Sequence, residues 1–134
     1  MYKTKALCNF LGRRLSIFGW SGQLGAGICE LLPKTEFVCY CGNISDYAAL
    51  KNVFSTKSNY NFIINAAAIT NVDGCETDEC RAFEVNALGP KYLAENVVRQ
   101  GGTLLHVSSD YVFPGTDPTP RKETDPVCPI NAYG

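Results

Sequence analysis

"LSIFGWSGQLGAGICELL", residues 15–32, is the stretch that decides the fold. Leu15–Phe18 form an apolar run closed by Gly19, which reads as a short strand, LSIFG. Gly19, Gly22 and Gly25 then fall at intervals of three, giving G-x-x-G-x-x-G. AGICELL follows with helical spacing. Glycine lets a backbone turn tightly and lets a pyrophosphate come close. The helix start behind it offers free N–H groups and the positive end of a dipole. Strand, glycine run and helix in this order predict a nucleotide-binding turn.

Working outward, Pro33 stops the first helix. EFVCYC (36–41) reads as a second strand, rich in aromatic and β-branched residues. GNISD is a turn, with Ser45 or Asp46 capping a helix over YAALKNVF. NFIINAAA (61–68) is a third strand that ends in small residues. Residues 75–100 read as mostly helical, with Gly89-Pro90 as a kink and Gly101-Gly102 as the stop. TLLHVSS (103–109) is a fourth strand. A loop with five prolines then runs to a helix start at Asn131–Tyr133. Strands and helices alternate, and the strands are almost continuously apolar. That pattern predicts an α/β fold: a Rossmann-like, doubly wound parallel sheet of about four strands. The fourth strand is expected to be a bare apolar edge.

One domain over residues 15–134 accounts for the whole pattern, preceded by an extension of residues 1–14. The extension carries four basic residues and no acidic ones, and its apolar stretch is too short and broken for a secretory signal. We read it as loosely attached. The net charge of -1, with cations scattered, argues against nucleic acid or a membrane surface as partner. Seven cysteines form no C-x-x-C pair and share the chain with a single histidine, so a zinc site has little to draw on. Their odd number and apolar neighbours suggest reduced thiols and a cytoplasmic location. No carboxylate cluster asks for a metal. The acidic run from Asp73 to Glu84 reads as a solvated helix face, and His106, among apolar neighbours, as a core residue.

A dinucleotide usually also meets an acid at the end of the second strand, which binds the ribose. Here that strand ends in Tyr40-Cys41-Gly42 with no acid and no arginine for a 2′-phosphate. Asn43 follows and has two readings, an adenine contact or a turn former. NADPH and NADH both stay open as cofactor.

Five segments, GWSGQLG, NAAAITNVDGCE, VNALGPKYLAE, SSDYVFPG and ETDPVCPINAYG, occur in this order. Together they resemble the dTDP-4-dehydrorhamnose reductases, the RmlD-like branch of the extended short-chain dehydrogenase/reductases. The glycine spacing is also that of the extended type. The resemblance spans residues 15–134 and implies NAD(P)H-dependent reduction of the C4 ketone of dTDP-6-deoxy-L-lyxo-4-hexulose to dTDP-L-rhamnose. It implies that Gly19, Gly22, Gln23, Leu24 and Gly25 hold the pyrophosphate. Asn43 and Ile44 stand where an Asp and an apolar residue usually meet the adenine. Ala67, Ala68 and Thr70 match the segment lining the ribose and nicotinamide. Ser109 matches the catalytic Thr or Ser, Asp110 a substrate contact, and Tyr133 the tyrosine of Y-x-x-x-K. Asn86 is expected to support the backbone beside the site.

Reduction of a ketone leaves charge on its oxygen, and an acid must deliver a proton there. A free tyrosine, with pKa ~10, is a reluctant donor. A lysine one turn further along a helix can lower that value. In this motif the lysine falls three residues beyond Gly134, so these 134 residues alone are expected to be inactive or nearly so. The resemblance also implies a nucleotide-sugar substrate and suggests a homodimer in the full-length protein. Two other readings stay open: a non-catalytic regulatory subunit like that of methionine adenosyltransferase, and a sugar-nucleotide epimerase or dehydratase.

Overall fold

The computed structural model describes residues 9–10, 13–32, 37–55, 60–116 and 118–134. A two-residue strand, β1 (Asn9–Phe10), pairs antiparallel with the first residues of β2 (Arg13–Phe18). Three further strands run parallel to β2: β3 (Phe37–Tyr40), β4 (Tyr60–Asn65) and β5 (Thr103–His106). Across the sheet the parallel order is β3-β2-β4-β5. The chain leaves β2 for β3 on one side and returns to β4 on the other. That reversal opens a crevice at the carboxyl ends of β2 and β4, where open parallel sheets bind ligands.

Register fixes which side chains share a face. Ile17 lies beside Cys39 and Ile64, and Phe18 beside Tyr40 and Asn65. Side chains alternate along a strand, so these two rows point to opposite faces. The Phe18 face carries the main core: Phe18, Ile44, Leu50, Phe54, Ile63, Val85, Leu93 and Val97. Helices α2 (Tyr47–Ser55) and α5 (Gly89–Arg99) supply Leu50, Phe54, Leu93 and Val97 to it. The other face meets α1 (Gln23–Leu31), whose Cys29 Sγ lies 3.8 Å from Cys39 Sγ on β3. Helices thus cover both faces, as the alternating pattern predicted. Asp46 caps α2 through an Oδ1 that accepts from Ala49 N at 2.9 Å, which settles the choice between Ser45 and Asp46.

The structure departs from the sequence reading in three places. The sheet starts before residue 15, because β2 begins at Arg13 and β1 lies within the expected extension. Residues 1–8 and 11–12, with Cys8, lie outside the described residues, as does Pro33. Second, the single helix over 75–100 is a series: α3 (Val72–Thr77), α4 (Glu79–Phe83), a π turn (Glu84–Leu88) and α5. Asp78 makes the first break, because its side chain accepts from Arg81 N and caps α4. Pro90 has no N–H to return to Asn86, and the wider π turn falls just before it. Third, β4 ends at Asn65 and β5 at His106, short of the expected residues 68 and 109, and residues 130–132 bend rather than coil. Asn131 Oδ1 does accept from Gly134 N at 2.9 Å, the bond an N-cap makes to its third helical residue.

On β5 and just beyond it, Leu105 and Val107 are 47% and 37% exposed. No helix among the described residues is long and apolar enough to cross a membrane.

Leu50 is fully buried between β2 and α5, so Leu50→Ala is expected to cost about 2–5 kcal/mol in urea unfolding. Ser16 behaves oppositely. Its hydroxyl is buried with no hydrogen-bond partner, so Ser16→Ala should leave stability unchanged or raise it by about 1 kcal/mol. A clear loss in the same unfolding experiment would show that the hydroxyl has a partner.

Candidate active site

The turn from β2 into α1 is packed against the end of β4. Gly19 has φ +75°, and a Cβ there would run into the Ala67 backbone. A Cβ on Gly25 would strike the carbonyl oxygen of Gly19. Phe18 O accepts from Ala66 N at 2.9 Å and locks the turn to β4. These contacts explain the first and third glycines through the protein's own packing. Gly22 is different: a Cβ there would meet only Gly19 O, at an ordinary 3.4 Å. It sits at the N-cap of α1, where no side chain caps the helix. The first-turn N–H groups therefore face an open cleft with glycine at its lip, a cradle suited to an anionic group.

That cleft has a volume of about 430 Å³. Gly22, Gln23 and Leu24 form one wall, and Ala66, Ala67, Ala68 and Thr70 form its floor. His106–Ser109, Val112, Tyr133 and Gly134 close the far side, and Asn86 reaches it too. Of the residues named from sequence, the cleft gathers Gly22, Gln23, Leu24, Ala67, Ala68, Thr70, Ser109 and Tyr133. Gly19 and Gly25 lie beneath it as supports. Asn43 is exposed, and its Oδ1 accepts from Ser45 N at 3.0 Å, the turn-forming role. Ile44 is 2% exposed and belongs to the core, so its side chain is not presented to a ligand. Asp110 starts the 3-10 turn Asp110–Val112 and does not line the cleft.

Ser109 Oγ accepts from Tyr111 N at 3.0 Å, which caps that turn and leaves the hydroxyl hydrogen available to donate. Tyr133 is 24 residues further along the sequence, and three contacts return it to the cleft. Cys128 N donates to Val112 O at 2.9 Å. Ala132 N donates to Glu76 Oε1 of α3 at 2.7 Å. The Tyr133 ring meets Tyr111 edge-on, with centroids 5.3 Å apart. Asn86 pins the floor: its Oδ1 accepts from Ile69 N at 2.8 Å and its Nδ2 donates to Ile69 O at 2.9 Å. This is the backbone-supporting role expected of it, and the π turn is the element that carries it.

Sequence reasoning missed Asn65 and Glu76 and misplaced His106. His106 is exposed at the cleft wall, not in the core, because it ends its strand at the mouth of the cleft. Asn65 is fully buried, and its Oδ1 accepts from Ala67 N at 3.1 Å. Its Nδ2 must then donate to His106 Nδ1 at 3.0 Å, which places the imidazole proton on Nε2. Partial desolvation of the ring, whose Nδ1 side faces Asn65, lowers the His106 pKa from its ordinary 6.5, and a second proton on Nδ1 would face an amide donor. The signal for Asn65 was present: a polar residue closing the apolar run FIIN. Glu76 had none, because its partner is 56 residues away.

The unfolded chain binds a proton at His106 more readily than the folded one, so stability falls as pH drops through about 6.5. His106→Gln should flatten that part of the profile, measured as Tm between pH 5 and pH 8. Asn65→Ala leaves two partners unsatisfied and is expected to cost about 1–3 kcal/mol at every pH in that range.

The sheet order, the glycine turn and the cleft at the strand ends define a Rossmann-like domain of the nucleotide-binding type. The family model of the RmlD substrate binding domain matches residues 13–134, and the chain belongs to that family. A dTDP-4-dehydrorhamnose reductase from Aggregatibacter actinomycetemcomitans is 40% identical over 126 residues, 90% of this chain and 43% of that protein. The crystal structure of a hypothetical dTDP-4-dehydrorhamnose reductase from Sulfolobus tokodaii superposes with a TM-score of 0.83 at 33% identity. That match covers 90% of this chain and 48% of the other. A Bacillus anthracis dTDP-4-dehydrorhamnose reductase, solved in complex with NADP, gives 0.81 at 31% identity, over 89% and 44% of the two chains. The chain thus spans less than half the length of these relatives.

Proposed function

We propose that these residues form the cofactor-binding part of a dTDP-4-dehydrorhamnose reductase, which reduces the C4 ketone of a dTDP-linked 6-deoxy-hexulose with NADPH or NADH. The observation that carries this reading is one cleft holding an uncapped helix start on one side and two hydroxyl side chains, Ser109 and Tyr133, on the other. The names of the relatives and the NADP in one structural neighbour support it.

The residues present fit a dinucleotide. The N–H groups of the first turn of α1 would hold its pyrophosphate, with Gly22 giving the backbone room to approach. Ala67, Ala68 and Thr70 would line the ribose and nicotinamide. When bound, the reduced nicotinamide supplies a hydride. The chain's own residues manage the oxygen of the ketone. Tyr133 delivers the proton to it. Ser109 donates its free hydroxyl hydrogen to the same atom, because its lone pair already serves Tyr111 N. Asp110, exposed beside Ser109, would meet the sugar. The end of β3 carries no carboxylate to repel a 2′-phosphate, which favours NADPH over NADH. Asn43 and Ile44 would contribute to the adenine side through their backbone. The substrate class is a nucleotide-sugar, the assembly a homodimer and the location the cytoplasm.

Two experiments test this. Titration of the 134-residue chain with NADPH, followed by nicotinamide fluorescence, should saturate. Gly22→Val should weaken binding at least about tenfold, since one oriented backbone bond to a phosphate is worth about 1.5–3 kcal/mol. Its Tm should fall by no more than a few degrees, the cost of a poorer N-cap residue. For chemistry, residues 1–134 can replace the matching part of the Aggregatibacter reductase. The chimera should oxidise NADPH only when the dTDP-keto sugar is present. Tyr133→Phe should lower kcat by about 10²–10⁴-fold. Saturable NADPH binding with no ketone-dependent oxidation in a folded chimera would refute the reductase assignment.

A further inference from the structure

Cys29 and Cys39 are part-buried, and their sulfurs are 3.8 Å apart across the contact between α1 and β3. They stand ten positions apart in the sequence, so the contact depends on the fold. We propose that Cys29 and Cys39 are a dithiol site that oxidises to an intramolecular disulfide, tying α1 to β3 beside the glycine turn. Nothing in the reductase reading requires this site, and the site requires no reductase activity.

The surroundings distinguish this pair from the other thiols among the described residues. Cys41 lies two residues beyond Cys39, but its sulfur accepts from Trp20 Nε1 at 3.0 Å and is drawn toward the glycine turn. Cys75 is buried, and its thiol donates to Ile69 O at 3.9 Å. Cys80 and Cys128 are exposed on other segments. Among the described residues no cluster of cysteines, histidines or acids could hold a metal, so a bound ion does not account for the pair.

The oxidant is a small disulfide, such as glutathione disulfide. The Cys29 thiolate attacks one of its sulfurs, forming a mixed disulfide and releasing the first glutathione. The Cys39 thiolate then attacks the Cys29 sulfur and releases the second. Two protein thiols are oxidised, one disulfide is reduced, and the two thiol protons end on the two glutathiones. Burial, aided by Cys29, pushes the Cys39 thiol up to about 12, so Cys39 stays protonated near neutral pH. The closing step is therefore slow and quickens as pH rises.

The test uses the 134-residue chain, reduced, then equilibrated with excess glutathione disulfide at pH 8. Free thiols are alkylated after unfolding, and tryptic peptides are mapped without reduction. Trypsin cuts after Lys34, so a Cys29–Cys39 disulfide joins two separate peptides. The expected product is a monomer lacking two hydrogens, with those peptides joined and Cys41 alkylated. Its Tm should rise by about 5 °C, because the link restricts the unfolded chain. Cys29→Ser and Cys39→Ser should each abolish the link and the Tm rise, while Cys41→Ser keeps both. Full alkylation of Cys29 and Cys39, a Cys39–Cys41 link, or only links between chains would each overturn the proposal.

Discussion

Everything at the candidate site depends on the absence of a side chain at Gly19. The backbone leaves β2 with a positive φ and passes so close to Ala66 and Ala67 that no Cβ fits between them. The close approach lets Phe18 O bond Ala66 N. It lets Gly25, in the first turn of α1, rest on the carbonyl of Gly19. The direction of α1 follows from those two contacts. Its uncapped N-terminus is thereby aimed across the strand ends, with the alanine run that follows β4 beneath it. A bulkier turn would swing the helix away, and the cleft would lose its first wall.

The far wall is assembled by different means. No regular element carries Tyr133 to the cleft. A proline-rich segment does so, with hydrogen bonds to Val112 and Glu76 and the edge-on contact of two tyrosine rings among its contacts. The floor is intermediate. Asn65 and Asn86 fix the backbone of residues 67 and 69 through side-chain bonds, and both asparagines are drawn from the surrounding elements. The site thus joins a rigid half, set by packing against the sheet, to a half held by a few polar contacts.

The parts of the fold that rest on local rules were legible in the sequence. Period and turn chemistry located the four parallel strands, and the glycine run located the β2–α1 turn. Gly22 was named from the glycine run, Ser109 and Tyr133 from the family resemblance, and the fold brings all three to one cleft. What was not legible depends on distance in the chain. The pairing of Asn65 with His106, and of Glu76 with Ala132, exists only after the sheet forms. The break of the long helix was half visible: Pro90 announced a kink, but Asp78 acts as a cap only because α3 and α4 turn apart there. Ile44 was placed beside the adenine by resemblance, yet its side chain fills the core between α2 and α5. Local sequence cannot say which face of a turn a residue ends on.

The central claim is that the uncapped start of α1 and the two hydroxyl side chains serve one bound dinucleotide. Crystals of this chain grown with NADPH test it most directly. The account predicts density for the pyrophosphate against the backbone of Gly22 and Gln23, with the nicotinamide ring between Ala67 and the Ser109–Tyr133 wall. A dinucleotide bound elsewhere, or a nicotinamide pointing away from Tyr133, would contradict it.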